Sequence, residues 1–313
     1  MTIADNAIAY RLEPSTDRTT PRVRRRQDIE LLRIVGAFGI VWFHSRVAGW
    51  EFAYSGLMFF LIISTFLWSV SGSAERSVLQ RARRLLVPWL FWLAFYGVVN
   101  LATAKPFVPL DKGIVLGVLA GSSIHLWFLP FIFGVLVLLD RIRGRLRPEV
   151  LGYGCAVAAI AVFVSSPLWT PWTKEMGAPI AQYSQALFGV LVGVFLGHYR
   201  LLGATWRKLL LAVIVLMTVC FYIVSGAGIP YIVGTTVAAY VLLRGIRFPE
   251  GLELGWLSAA TLGIYLIHPF YLRIVGKFSA IGGIWYPILA FLLSALTIVL
   301  LRHFSPRIAR YVA

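Results

Sequence analysis

The residues that could do chemistry in this chain are histidines and arginines set in or beside apolar runs. His44 ends the stretch Arg33-Ile-Val-Gly-Ala-Phe-Gly-Ile-Val-Trp-Phe-His44, eleven residues after Arg33. At ~100° per residue this is three helical turns plus about 20°, so both side chains share one helix face, roughly 16 Å apart along the axis. Arg81 and Arg84 stand at i and i+3 in Arg76-Ser-Val-Leu-Gln-Arg81-Ala-Arg83-Arg84-Leu-Leu-Val-Pro88. One helix face then carries both, and a guanidinium offers phosphate a rigid bidentate fork. His125 opens His125-Leu-Trp127-Phe128-Leu-Pro130, and His268 precedes Pro269 in Ile264-Tyr265-Leu-Ile-His268-Pro269. Proline breaks the backbone ladder, and a broken ladder beside a histidine points to a polar cavity. Blander readings compete: a snorkelling anchor for Arg33, a basic loop cluster for Arg81 and Arg84, an interfacial aromatic belt for Trp127. His198 and His303 fall at the ends of apolar runs, where an interfacial place is the simpler account.

The elements that must position these residues follow from composition. Of 313 residues, 59% are hydrophobic and only 13% charged, and the mean hydropathy is +0.81. A soluble domain has about 45–50% apolar and about 25% charged residues, so a bilayer is the solvent this chain requires. Apolar runs near 30–49, 52–71, 85–103, 125–140, 150–166, 184–199, 207–225, 229–244, 255–273 and 284–302 give ten segments, each near the ~20 residues of a spanning helix. The piece 112–120 is too short to span and reads as re-entrant or interfacial. Residues 1–28 form a flexible basic tail, 29–303 a ten-helix membrane domain and 304–313 a short basic tail. No small-residue cleavage site follows the first apolar run, so it reads as a retained helix and not a signal peptide.

The net charge of +16 raises nucleic acid as a partner. Its distribution answers otherwise. With the N-terminus cytoplasmic, alternate segments hold 23 basic residues inside and 6 outside, the asymmetry of a membrane topology code. The expected fold is all-α and polytopic, with about ten transmembrane helices and both termini cytoplasmic. No Asp or Glu lies deep in any segment, which removes paired-carboxylate hydrolysis and a carboxylate proton relay and leaves His44 the strongest candidate base. Cys155 and Cys220 lie in apolar runs and give neither a disulfide framework nor a metal signature. No bound metal is expected.

The ordered set of motifs resembles the acyltransferase-3 family, integral-membrane O-acyltransferases that decorate bacterial surface glycans. Arg33 and His44 match its Arg-ten residues-His motif, and Arg81 and Arg84 its Arg-x-x-Arg motif. The strings at Trp127-Phe128-Leu129 and Ile264-Tyr265-Leu266-Ile267-His268-Pro269 resemble its later signatures. The matches run from about residue 27 to 270, without a fused hydrolase domain. One departure stands out. Where the family often has Gly-Val-Asp-x-Phe-Phe-x-x-Ser-Gly-Phe, this chain has Met58 for the aspartate and Thr65 for the glycine. Glu51, in the loop after His44, is a candidate substitute carboxylate.

The resemblance implies transfer of an acyl group, acetyl by family frequency, from cytoplasmic acyl-CoA to a hydroxyl on an extracytoplasmic glycan. Exopolysaccharide and O-antigen units of lipopolysaccharide are the examples. Arg33, Arg81 and Arg84 would bind the donor phosphates, and His44, with a reference pKa near 6.5, would be general base on the hydroxyl. An acyl-histidine intermediate is a less favoured variant. Glu51, His125, Trp127 and His268 are acceptor-side or accessory candidates. Acyl-CoA enters as a substrate, with no permanently bound cofactor, and the bacterial inner membrane is the expected location. A secondary transporter and a subunit of a polysaccharide-export complex are the rival readings.

Overall fold

A computed structural model describes residues 10–12, 23–71, 77–224, 228–249, 251–278 and 282–313. Arg18, Arg22 and Arg76, together with much of the expected N-terminal tail, lie outside the described residues, as does the side chain of Cys220. Residues Tyr10–Leu12 pair antiparallel with Val23–Arg25; the rest of the described regular structure is helical.

Ten helices of 15 to 25 residues carry the described chain: α1 (Gln27–Ser45), α3 (Ser55–Val70), α4 (Val78–Ala102), α6 (Phe128–Ile142), α7 (Pro148–Val164), α9 (Ile180–Gly197), α10 (Thr205–Val224), α11 (Ile229–Arg244), α13 (Thr261–Val275) and α14 (Trp285–Phe304). Shorter pieces are α2 (Trp50–Ala53), α5 (Ile114–Ala120), α8 (Ser166–Met176), α12 (Gly255–Ser258) and α15 (Pro306–Val312). Each long helix overlaps one expected apolar segment, in order. Four stretches are long and apolar enough to cross a bilayer: α2 with α3, α4, α9 and α14. The pair α7 and α8 makes a fifth, bent by 73°. Pro167, near the start of α8, has no N–H for the Phe163 carbonyl and its ring crowds that carbonyl, which accounts for the break. The chain is an all-α integral membrane protein. Leucines at helical spacing remain exposed, as Leu292, Leu296 and Leu300 on α14, and form the kind of stripe that faces lipid.

Boundaries differ from the expected ones where caps intervene. Helix α4 starts at Val78, because the Ser77 hydroxyl accepts from the Gln80 N–H at 3.2 Å. Arg81 and Arg84 are therefore helical, as their spacing requires. Helix α6 begins at Phe128, so His125 stands in the turn before it rather than inside a span.

Small residues set the packing. Gly189, Gly193 and Gly197 recur every fourth residue on α9 and bring its backbone against α3; a Cβ at Gly193 would lie 2.6 Å from the Ile62 carbonyl oxygen. Such stripes are how helices associate where lipid tails are as apolar as the partner helix. On α1, Gly36 and Gly39 do the same against Gly56 and Ala53, with 3.4 Å from a Gly36 Cβ to the Gly56 carbonyl. Met58 and Thr65 are fully buried on α3, where Met58 faces Gly189 and Gly234 and Thr65 faces Gly193. Met58 thus fills core space, and helix α3 brings no carboxylate inward at this position. The expected outcome of Gly193→Val is a protein less stable by about 1–3 kcal/mol, read as a lower Tm in detergent; an unchanged Tm would contradict this α3–α9 interface.

The start of α1 is tied down by charge. Arg26 donates to the Val241 carbonyl at 2.6 Å and the Leu242 carbonyl at 3.2 Å, and pairs with Asp28 at 2.7 Å. Asp28 in turn accepts from the Ile246 N–H at 3.0 Å. A cation on the last carbonyls of α11 is the favourable arrangement for a helix C-terminus, and it fixes the helix that carries His44.

Candidate functional site

Three of the five histidines meet. The His268 ring lies 5.2 Å, centroid to centroid, from the His44 ring and 5.2 Å from the His125 ring. They come from three elements: the last turn of α1, the turn before α6 and the middle of α13. His125 and His268 are buried, at 1% and 0% exposure, while His44 is half-buried.

Pro269 explains how α13 builds this site. It stays within the helix but has no N–H for the carbonyl four residues back, that of Tyr265. The His268 ring takes the vacancy: its Nδ1 lies 2.6 Å from the Tyr265 carbonyl oxygen. A carbonyl only accepts, so Nδ1 carries the proton and, in the neutral ring, Nε2 keeps a lone pair. That Nε2 is buried and has no hydrogen-bond partner among the described residues.

His125 is arranged differently. Its Nε2 faces the Leu266 carbonyl at 3.1 Å and must donate, leaving Nδ1 to accept from the Ser123 hydroxyl at 3.1 Å. The Tyr265 hydroxyl donates to the His125 carbonyl, and the Tyr96 hydroxyl of α4 donates to the Leu266 carbonyl at 2.8 Å. Ser122 donates to the Leu93 carbonyl at 2.7 Å and accepts, through its own carbonyl, from Asn100 at 2.7 Å. Both His125 ring nitrogens are therefore committed; His125 ties the turn to α13 and Ser122 ties it to α4. This turn follows the short helix α5, the piece expected to be too short to span. Non-helical backbone at membrane depth needs such internal partners.

His44 lies two residues before Arg46, a left-handed cap (φ 58°) whose guanidinium stands 4.1 Å over the Trp50 ring and 4.8 Å over Phe43. Glu51, on α2, is exposed, and among the described residues neither a hydrogen bond nor an ion pair joins it to His44. Trp127 is 6% exposed and packs with Phe131 and Tyr183, ring centroids 5.9 and 6.0 Å away. Among the described residues no three of His, Cys, Asp and Glu are placed to hold a metal ion.

The arginines lie at the far end. Arg33 pairs with the buried Glu30 at 3.3 Å, eleven residues before His44 on α1. Arg81 pairs with Asp140 at 2.8 Å, and Trp68 donates to the same carboxylate at 2.7 Å. Asp140 sits twelve residues along α6 from Phe128, roughly 18 Å from the histidine turn. Arg84 is exposed on the same turn of α4 as Arg81. Arg143 stacks over Trp68 at 4.2 Å and donates to the Trp68 carbonyl. The structure thus joins His44, His125 and His268 and sets the arginines apart from them. Sequence reasoning missed Asp140, Tyr96 and the role of Tyr265. Only Tyr265 carried a signal, being four residues before Pro269.

Among known proteins, residues 26–301 match a family model described as an acyltransferase domain. No curated protein and no solved structure gives a match.

Proposed function

Because the chain belongs to the acyltransferase-3 family, we propose that it moves an acyl group, acetyl by preference, from cytoplasmic acyl-CoA to a hydroxyl of an extracytoplasmic glycan, such as an exopolysaccharide or O-antigen unit. It is a membrane acyltransferase, and on this reading it works in the bacterial inner membrane with ten crossings and both termini in the cytoplasm.

The observation that carries the reading is the meeting of His44 and His268, 5.2 Å apart, at the opposite end of α1 and α6 from Arg33 and the Arg81–Asp140 pair. A donor whose phosphates rest on the arginines must reach roughly 16–18 Å to bring its thioester to His44. His44 then removes the proton of the acceptor hydroxyl as its oxygen attacks the thioester carbonyl. The C–S bond breaks, and the proton passes from His44 to the departing sulfur, giving ester and free thiol. A base held among buried rings meets the hydroxyl with little competing water. Arg33, Arg81 and Arg84 supply charge-assisted donors to the phosphates.

Purified protein in lipid nanodiscs, given acetyl-CoA labelled in the acetyl group and a lipid-linked oligosaccharide, is expected to place label on the glycan and release free CoA thiol in equal amount. Uptake of label into sealed vesicles with none on any glycan hydroxyl would instead identify a carrier.

A further inference from the structure

We infer that His268 is the positioning residue for His44: its Nε2 lone pair accepts the N–H of the His44 ring and so turns the other His44 nitrogen, bare, toward the acceptor hydroxyl. The inference rests on the acyl-transfer reading above.

Three observations carry it. First, the bond from Nδ1 to the Tyr265 carbonyl, at 2.6 Å, leaves the lone pair on Nε2. Proline at 269 makes that carbonyl available, so the tautomer is written into the backbone of α13. Second, Nε2 is buried without a partner among the described residues. Native proteins satisfy nearly all such atoms, and one left open at a cluster of ionisable groups is a place for a group that arrives. Third, the 5.2 Å between the His44 and His268 centroids is the separation at which one N–H···N bond of about 3 Å can join two imidazoles. The rings are tilted by 36°, and a turn of the half-buried His44 about its own side-chain bonds aligns the nitrogen.

The result is a relay of orientation: the Tyr265 carbonyl holds His268, His268 holds His44, and His44 faces the hydroxyl. A catalytic histidine commonly needs such an acceptor behind it, usually a carboxylate, to fix its tautomer and to steady the imidazolium as it forms. Here α3 offers Met58 at its buried position and Glu51 is exposed and unconnected to His44. Histidine does the task while remaining neutral. The proton count is unchanged: the hydroxyl proton goes to His44 and then to sulfur, and His268 gains none.

Two near-isosteric variants separate this role from a structural one. Asparagine reaches the Nδ1 position and can keep the bond to the Tyr265 carbonyl, but offers no acceptor at Nε2. Glutamine reaches the Nε2 position with an oxygen that accepts. Initial rates with acetyl-CoA and lipid-linked oligosaccharide are measured beside Tm in detergent. His268→Asn is expected to lower kcat about 10²–10⁴-fold with both KM values within about 3-fold. His268→Gln is expected to recover at least about a tenth of wild-type kcat, and His44→Ala/His268→Asn to be no slower than His44→Ala alone. Wild-type kcat in His268→Asn overturns the inference, as does equal kcat in the Asn and Gln variants at equal Tm. Full activity in His44→Ala overturns the role of His44 and this inference with it; an inactive wild type overturns the enzyme reading itself.

Discussion

Removing the His44 ring is expected to lower kcat about 10²–10⁴-fold, the range a positioned general base contributes. The expectation rests on geometry and on elimination. His44 is the half-buried member of the three histidines, so a substrate hydroxyl can reach it, whereas His125 has both nitrogens engaged by Leu266 and Ser123. His268 is fully buried. Among the described residues no carboxylate stands beside them to take the proton. His44→Ala costs the fold little, because the ring is half-buried and the packing of α1 on α3 is made by Gly36, Gly39 and Gly56 further back along the helix. The KM for donor should stay within about 3-fold, since the arginines are unaltered. Initial rates at saturating acetyl-CoA, with Tm measured in parallel, check this. An unaltered kcat at an unaltered Tm removes His44 from the reaction.

The periodic part of the architecture was legible in the sequence. Apolar runs bounded by charges report helices, and the ten long helices follow the ten runs in order. The meeting of His44, His125 and His268 was legible only to the extent of a shared side, because counting alternate segments assigns an end of the bundle and not a distance. What remained hidden was tertiary pairing. Asp140 closes an apolar run beside Arg141, where a charge needs no explanation, and its partners Arg81 and Trp68 lie 59 and 72 residues away. Tyr96 lies in an unbroken apolar run, and nothing local says that its hydroxyl finds the Leu266 carbonyl. Pro269 could have been carried one step further. A missing N–H at 269 frees the carbonyl of Tyr265, on the same turn as His268, and a helical ring three residues on is well placed to fill it. Met58 differed from the family pattern, and only its burial against Gly189 and Gly234 says that it is core.

The Arg81–Asp140 pair permits a test in which two variants lose the same ion pair but shift donor binding in opposite senses. Arg81→Ala/Arg84→Ala removes two cations from the face expected to hold the donor phosphates. Each charge-assisted contact is worth about 1.5–3 kcal/mol, so the donor KM should rise about 10²-fold or more, with kcat at saturating donor nearly retained. The Arg81 side chain is only 11% exposed and its Nε has no partner among the described residues, so the guanidinium has a donor left after the carboxylate is served. Asp140→Asn keeps an oxygen for the Trp68 N–H but gives up the charge that competes with phosphate for Arg81. It should lower the donor KM several-fold. Both variants break the same ion pair, so a purely structural role for Arg81 would shift Tm and KM in one direction in both. Opposite shifts in KM at comparable Tm mark Arg81 as a phosphate contact. A rise in KM in both variants, following the loss of Tm, would reduce the arginine pair to a clamp that holds α4 against α6.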